Sequence, residues 1–288
     1  MLNVLVTGAD GQLGRELRRA AAGARDNYIF TDVAELDITD AAAVERFVAE
    51  NHIDVIENCA AYTDVERAET DAAAAERLNC TAVGNLARAA AGCGALLIHI
   101  STDYVFDGRS RTPYTEDMAT GPLSVYGATK LAGERAVVQS GCRHVIIRTS
   151  WMYSPHGRNF VKTMLRLTAE RESVKVVGDQ TGTPTCAADL ARAIVGIVQS
   201  GCGDERCGIY HYSDGGCCTW YEFAAEIARL AGRDGCRIER CSSAEYGAAA
   251  VRPAYSVLDK SKIREAFGVA VPHWRESLEK CIETLKNE

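Results

Sequence analysis

Residues Asn3 to Gly14 have the sequence "NVLVTGADGQLG". A short apolar run leads into Gly8, Gly11 and Gly14 in G-x-x-G-x-x-G spacing, and a helical pattern starts directly afterwards. Glycine permits a tight turn and close approach of a ligand, while a helix N-terminus offers free N–H groups and a positive dipole end to a pyrophosphate. The alternative is an ordinary glycine-rich turn, but a strand before it and a helix after it favour a dinucleotide-binding loop.

Short apolar runs alternate with helical patterns through the first half of the chain. After the opening strand come "YIFTD", "DVIENCA", "ALLIHIS" and "HVIIRTS", and the helical patterns span residues 12–22, 39–51 and 65–92. Strands without polar alternation are buried on both faces, as in a parallel sheet covered by helices. The sequence therefore predicts an α/β fold with a doubly wound, Rossmann-like parallel sheet.

The alternation of apolar runs and helical patterns is less regular after Ser150. There, loops such as "GDQTGTPT" separate helical patterns near residues 159–171, 187–199 and 219–232. We predict a dinucleotide-binding domain over residues 1–150 and a smaller, mainly substrate-binding region over residues 151–288. Later segments of the chain are expected to return to the first domain.

Composition excludes several classes of protein. The 288 residues carry a net charge of −7 with acids and bases interspersed, so a nucleic-acid partner is not expected. No apolar stretch approaches membrane-spanning length, and the start "MLNVLVTG" does not resemble a signal peptide. The 12 cysteines show no zinc-ligand spacing, and several lie in apolar segments, as Cys59 and Cys142 do. We expect a cytoplasmic protein with reduced thiols and no metal ligands.

Asp32, at the end of the second strand, bears on the choice of cofactor. A carboxylate in that place binds the ribose diol of NADH and repels the 2′-phosphate of NADPH. Arg15 follows the last glycine and offers a contact for such a phosphate, and Asp32 is equally a residue that caps turns. The sequence thus favours NADH while NADPH stays open.

The stretch "VYGATKLAGE" places Tyr126 and Lys130 four residues apart on one helix face. A ketone that accepts hydride develops negative charge on its oxygen, and a phenol can deliver the proton. A neighbouring ammonium would lower the pKa of that phenol and could bind the nicotinamide ribose. The pair alone is a weak signal, because a solvated Tyr/Lys pair is common on helix surfaces.

A second polar stretch, "HISTDYVFDG", strengthens this hypothesis. It ends the fourth strand and places Ser101, Thr102 and Asp103 at the carboxyl edge of the sheet, where ligands bind in open α/β folds. Thr102 can donate a hydrogen bond to the substrate oxygen beside Tyr126, and Asp103 can orient the sugar. Ser101 is better explained as part of a strand-end turn.

Several of these motifs together resemble the dTDP-4-dehydrorhamnose reductase family of extended short-chain dehydrogenases/reductases. The resemblance rests on "TGADGQLG", "NCAAYTDVERAE", "STDYVFDG", "VYGATKLAGE" and "RTSWMY", and it continues through "NFVKTMLRL", "DQTGTPT" and "RPAYSVLD". It implies reduction of the 4-keto group of a dTDP-6-deoxyhexulose to dTDP-L-rhamnose with NADH or NADPH. The nucleotide sugar would be the partner, and the protein would be a monomer or a homodimer.

The resemblance also assigns residues to the site. It implies that the cofactor lies against Gly11, Gln12, Leu13, Asp32, Asp37, Ile38, Ala61, Tyr62, Thr63, Tyr126 and Lys130. Trp151 would pack against the substrate and Arg252 would contact its diphosphate or sugar; their alternatives are a core tryptophan and an exposed ion pair. Some family members use Mg²⁺ through acidic side chains, a pattern that Glu16 fits but "PTCAADLA", without a glutamate, does not.

Three other functions are found among proteins that resemble this chain. A nucleotide-sugar dehydratase places an Asp-Glu pair after the threonine, whereas this chain has Asp103 and Tyr104. A nucleotide-sugar epimerase uses the same tyrosine and lysine but regenerates its cofactor within each turnover. A non-catalytic subunit similar to methionine adenosyltransferase beta would not need the proton donor that this chain retains.

Overall fold

The computed structural model describes residues 1–287 and has a six-stranded parallel sheet at its centre. The strands in chain order are β1 (Asn3–Thr7), β2 (Asn27–Thr31), β3 (Val55–Asn58), β4 (Leu96–Thr102), β5 (Arg143–Thr149), β6 (Met152–Tyr153), β7 (Ser173–Val177), β8 (Thr181–Gly182), β9 (Thr185–Cys186), β10 (Gly208–His211), β11 (Cys218–Thr219) and β12 (Arg237–Cys241). The central sheet has the order β10-β5-β4-β3-β1-β2. The strand order therefore reverses between β1 and β3, the kind of switch point beside which ligands bind in open α/β sheets.

The helices cover both faces of the sheet and build the region beyond it. They are α1 (Gln12–Ala20), α2 (Ala41–Glu50), α3 (Val65–Ala68), α4 (Ala72–Glu76), α5 (Ala82–Cys93), α6 (Val125–Ser140), α7 (Phe160–Glu170), α8 (Ala187–Ser200), α9 (Trp220–Leu230), α10 (Ser243–Tyr246), α11 (Ser261–Phe267) and α12 (Trp274–Asn287). Short 3-10 turns lie at Ala21–Gly23, Asp103–Val105 and Asp204–Arg206, and a π-helical turn at Arg77–Thr81. Among the described residues, no helix combines the length and hydrophobicity needed to span a bilayer.

All five predicted apolar runs form strands of the central sheet, which confirms the doubly wound α/β class. The side chains of β1 show why these runs do not alternate between apolar and polar residues. Val4 and Val6 pack toward α1 and α8 on one face of the sheet, and Leu5 packs toward α2 and α5 on the other. All three are fully buried. Each buried side chain of this size contributes about 1.5–3 kcal/mol, so burial on two faces fixes the sheet between its helices.

The chain after residue 150 contributes to both parts of the molecule. Strand β10 pairs with β5 at the edge of the central sheet, and α8 packs against α1. The remaining segments enclose a separate apolar cluster in which Phe223, Trp274 and Tyr153 are fully buried. The division of the chain into two domains at residue 150 stays a prediction. Two elements after that residue, α8 and β10, pack on the first domain.

The helix predicted over residues 65–92 is interrupted. Asp64 caps α3 by accepting a hydrogen bond from the Arg67 N–H at 3.0 Å. The N–H groups of Thr70 and Asp71 then both bond to the Arg67 carbonyl, and Asp71 leaves helical geometry with φ −129°. The Thr70 hydroxyl also donates to the Arg67 carbonyl, at 3.1 Å, which favours a turn over a continuing helix. The predicted single element therefore becomes α3, α4, the π-helical turn and α5.

Candidate active site

A cleft of about 1230 Å³ opens at the carboxyl ends of the central strands. It runs from the glycine-rich loop after β1, past the segment after β3, to the ends of β4 and β5. The structure brings together there the residues predicted for the site, with Gly14 outside the lining: Gly8, Gly11, Gln12, Leu13, Asp32, Asp37, Ile38, Ala61, Tyr62, Thr63, Thr102, Asp103, Tyr126, Lys130, Trp151 and Arg252. Ser101 also lines the cleft.

The glycines of the loop have different roles. Gly8 has φ +67°, and a Cβ there would lie 2.7 Å from the backbone nitrogen of Ala60. At Gly14 a Cβ would lie 2.5 Å from the Cα of Ala9, so this glycine lets α1 pack on the loop and does not line the cleft. Gly11 precedes α1 and no side chain caps the helix there. The first-turn N–H groups are therefore available to a phosphate, and the loop fits a dinucleotide.

Gln12 connects the glycine-rich loop to the segment after β5 through hydrogen bonds. Its side-chain oxygen accepts hydrogen bonds from the Asn159 amide at 2.8 Å and the Ser154 hydroxyl at 3.2 Å. Gln12 was predicted only as a contact for the cofactor. The structure adds a role in fixing the segment that continues into α7.

Asp32 lines the cleft and also organises the loop. Its carboxylate accepts hydrogen bonds from the N–H groups of Asp10 at 3.0 Å and Val33 at 2.8 Å. The Arg15 side chain donates to the Asp10 carbonyl at 2.9 Å. Both interpretations of Asp32, ribose acceptor and turn cap, are therefore compatible with its position.

The proposed proton donor lies at the start of α6, which Ser124 caps by accepting from the Gly127 N–H at 3.2 Å. Lys130 follows one turn later with 1% of its surface exposed, and its ammonium donates to the Ile100 carbonyl at 2.6 Å. Burial lowers the pKa of Lys130 to about 8. This lysine is thus a core residue, and the solvated surface pair considered above is excluded.

The structure contradicts one part of the predicted chemistry. We expected Lys130 to lower the pKa of Tyr126, but burial raises that pKa to about 12, and the neighbouring Thr102 hydroxyl only partly opposes the rise. The physical reason is that desolvation of the phenolate outweighs the nearby donors. Tyr126 is consequently a neutral phenol at neutral pH, which is the protonation state required of an acid.

Thr102 and Asp103 lie beside Tyr126 at the end of β4. The Thr102 hydroxyl donates to the Asp103 carboxylate at 3.1 Å and accepts from the Tyr104 N–H at 3.2 Å. Burial raises the pKa of Asp103 to about 7, and one of its carboxylate oxygens has no hydrogen-bond partner within residues 1–287. An unpaired buried oxygen at the cleft is a fitting acceptor for a sugar hydroxyl.

An aromatic wall closes the end of the cleft that lies beyond β5. Trp151, with φ +47°, stacks on Trp220 with ring centroids 3.6 Å apart and an angle of 11° between the planes. Gly182 leaves room for this arrangement, since a Cβ there would lie 2.6 Å from the Trp151 ring. Such a flat apolar surface can pack against the face of a sugar ring that presents its C–H groups.

Arg252 lines the cleft and also pairs with Glu66 at 2.7 Å. Its side chain is 27% exposed, and its Nε is buried without a hydrogen-bond partner among the described residues. The second oxygen of Glu66 accepts from the N–H groups of Ala249 and Ala250. The predicted ion pair is present, and Arg252 keeps donor capacity toward an anion.

The sequence and the structure of this chain are similar to those of known reductases, in agreement with the geometry of the cleft. Residues 2–287 match the family model described as "RmlD substrate binding domain". The chain belongs to this family. It is 44% identical over 291 residues to dTDP-4-dehydrorhamnose reductase of Streptomyces griseus, covering 98% of this chain and 93% of that relative.

Two solved structures of proteins named dTDP-4-dehydrorhamnose reductase are also similar. The Clostridium acetobutylicum structure has a TM-score of 0.94 at 41% identity and covers 99% of this chain and 100% of that one. The Bacillus anthracis structure, in complex with NADP, has a TM-score of 0.93 at 39% identity and covers 98% of this chain and 99% of that one.

Two residues that shape the cleft were not predicted from the sequence of this RmlD-family chain. Asn79, in the π-helical turn, accepts from the Tyr62 N–H at 2.8 Å and donates to the Tyr62 carbonyl and the Thr129 hydroxyl, both at 3.1 Å. It thereby fixes a cleft residue against α6. Trp220 was missed too, and neither residue belongs to a local pattern that marks it.

Arg19 and His156 lie beside Glu16, the residue that the resemblance links to Mg²⁺. Glu16 is buried, with the Arg19 guanidinium at 3.5 Å and His156 Nε2 at 3.4 Å, so groups able to carry positive charge face its carboxylate. Within residues 1–287 no three His, Cys, Asp or Glu side chains are grouped as metal ligands.

Proposed function

We propose that the protein reduces the 4-keto group of dTDP-4-dehydro-6-deoxy-L-mannose to give dTDP-L-rhamnose, with NADH or NADPH as reductant. The observation that carries this proposal is the cleft that an uncapped helix N-terminus, Tyr126 with the buried Lys130 one turn away, and an aromatic wall line together. The full-length similarity to named reductases supports the same substrate.

Each group of the cleft has a distinct part in this proposal. The bound nicotinamide supplies hydride to the sugar carbon. Tyr126 donates its phenolic proton to the ketone oxygen as negative charge develops there, and the Thr102 hydroxyl supports the same oxygen by hydrogen bonding. Lys130, one helical turn after Tyr126 on α6, would donate a hydrogen bond to the nicotinamide ribose.

Recognition of the rest of the substrate follows from the remaining contacts. The Trp151 ring would cover the apolar face of the sugar, Asp103 would accept from a sugar hydroxyl, and Arg252 would donate to the diphosphate. The proposal includes a cytoplasmic location, where reduced nicotinamides and thiols are maintained. It leaves the monomer and the homodimer as the two oligomeric states to be distinguished.

The test supplies the enzymatically prepared 4-keto-6-deoxy nucleotide sugar, follows NADH and NADPH absorbance at equal concentrations, and identifies the sugar product. We expect stoichiometric loss of the reduced cofactor and conversion of the 4-keto group to a 4-hydroxyl in the product sugar. No loss of absorbance with folded, cofactor-bound protein would contradict the proposal. Copurification of a stoichiometric synthetase partner in that case would instead support the regulatory-subunit alternative.

A further inference from the structure

A buried charged network lies behind Lys130. The Glu134 carboxylate accepts two hydrogen bonds from the Arg148 guanidinium, at 2.9 Å from Nε and 2.7 Å from Nη2. It also accepts a hydrogen bond from the Ser101 hydroxyl. The side chains of Arg148 and Glu134 are only 3% and 2% exposed, so water does not screen their charges.

The position of this network connects it to the cleft. Tyr126, Lys130 and Glu134 follow at intervals of four residues along α6, which places them on the same side of the helix. Ser101 directly precedes Thr102 on β4, and Arg148 lies on β5 just before the segment that carries Trp151. The network therefore joins the helix of the proposed acid to both strand ends that face the substrate.

Stability alone does not account for such a pair. Removing two charges from water costs several kcal/mol per ion, and buried ion pairs are often replaced by apolar residues without loss of stability. The Lys130 ammonium donates to the Ile100 carbonyl, while the Glu134 carboxylate accepts from the next residue of β4, Ser101, and the two side chains lie one turn apart on α6. The carboxylate therefore places a negative charge near the ammonium, which opposes the effect of burial on the pKa of Lys130.

The other titratable groups near this network do not provide that charge. His99, on β4, has a pKa well below its ordinary value because of burial and Lys130, and His211, beyond Arg148 on β10, has a pKa lowered to about 3 by burial and Arg148. Both histidines are therefore neutral. The Cys59 thiol, after β3, has its pKa raised well above the ordinary value by burial and is a neutral thiol.

We propose that Glu134 is a positioning residue, held by Arg148 and Ser101, whose carboxylate keeps Lys130 protonated where it donates to the Ile100 carbonyl, one helical turn from Tyr126. This inference rests on the proposed reductase function for its catalytic meaning. Its physical content, the protonation of Lys130, can be measured without any substrate.

The experiment uses Glu134→Gln/Arg148→Met in the full chain, because removing both charges leaves no unpaired ion in the core. The pKa of Lys130 is measured from the Cε resonance of ¹³C-labelled lysine, assigned by its absence in Lys130→Met. We expect the pKa of Lys130 to fall by up to about one pH unit in the double variant, because the loss of the opposite charge of Glu134 outweighs the loss of the like charge of Arg148, which does not contribute to the shift of the Lys130 pKa. Glu134→Asp, which retains the charge, should restore part of the difference.

Asp189→Asn is the matched control, because Asp189 is also a buried carboxylate paired with an arginine, Arg192, but lies on α8. It should leave the Lys130 titration unchanged. An unchanged Lys130 pKa in the folded double variant, or an equal fall in the control, would overturn the inference.

Activity provides the second readout. With the substrate named above, the alkaline limb of the kcat profile should move to lower pH in the double variant, giving roughly a fivefold loss at pH 8 if the pKa falls from about 8 to about 7. An absence of reduction in the wild-type protein would count against the proposed function, while the NMR titration would still decide the role of Glu134.

Discussion

Glu57 gives a prediction in which the pH dependence of stability can be calculated. It lies in β3, between β1 and β4, with 1% of its surface exposed. Neither carboxylate oxygen has a hydrogen-bond partner among the described residues. Burial raises its pKa from the ordinary 4.5 to about 8. The folded protein therefore binds a proton at Glu57 over a pH range in which the unfolded chain has released it.

The sign and size of the effect follow from this difference. Stability associated with Glu57 is fully present below pH 4.5, declines as the pH rises and reaches its lower limit above pH 8. Each pKa unit corresponds to ~1.4 kcal/mol, so the loss is about 3 kcal/mol at pH 7 and about 5 kcal/mol above pH 8. Glu57→Gln keeps the shape of the protonated acid but cannot ionise. It should match wild type near pH 4.5 and exceed its stability by these amounts at higher pH.

Urea unfolding followed by circular dichroism at pH 5, 7 and 8.5 measures this difference. Glu45→Gln, a change at an exposed position of α2, is the control for a general effect of charge and should leave the pH dependence unaltered. A constant difference in stability between Glu57→Gln and wild type across the three pH values would show that the pKa of Glu57 is not raised in the folded protein. It would mean that the folded protein relaxes to solvate or pair the carboxylate.

Three further predictions concern the cleft. Asp32→Ala should raise the ratio of kcat/KM for NADPH over NADH about tenfold, because a ribose acceptor and a charge that repels phosphate are lost; an unchanged ratio would remove Asp32 from the site. Gly8→Ala should weaken NADH binding at least tenfold in a fluorescence titration, since its Cβ would meet the Ala60 backbone at 2.7 Å; wild-type affinity would contradict the assigned loop. Tyr126→Phe should lower the single-turnover rate roughly 10²–10⁴-fold with little change in NADH affinity, whereas near-wild-type chemistry would show that another group is the acid.

Features encoded in local sequence were predictable. The apolar runs specified strands buried on both faces, and the glycine spacing located the turn between β1 and α1 at the cleft, because each depends on neighbouring residues alone. Tyr126 and Lys130 shared a helix face for the same reason, and the parallel sheet then brought Thr102 to the same edge. Sequence could thus place the cleft and most of its lining.

Features that depend on contacts between distant segments were not predictable. Trp151 stacks on Trp220 across 69 positions of the chain, and Arg148 pairs with Glu134 from another element. The rise in the pKa of Tyr126 depends on burial, which the four-residue spacing to Lys130 does not reveal. Glu57 occupies a position in an apolar run, and only the packed sheet shows that its carboxylate is left without a partner.

The most direct test of the proposed reaction is transfer of deuterium from the cofactor to the sugar. The protein is incubated with NADH or NADPH deuterated at the transferring position of the nicotinamide and with the 4-keto-6-deoxy nucleotide sugar, and the product is analysed by NMR. We predict one deuterium at C4 of the product sugar and one oxidised cofactor released for each molecule formed. A product without deuterium at C4 would contradict the proposed reduction. Turnover without net oxidation of the cofactor, as an epimerase would give, would contradict it as well.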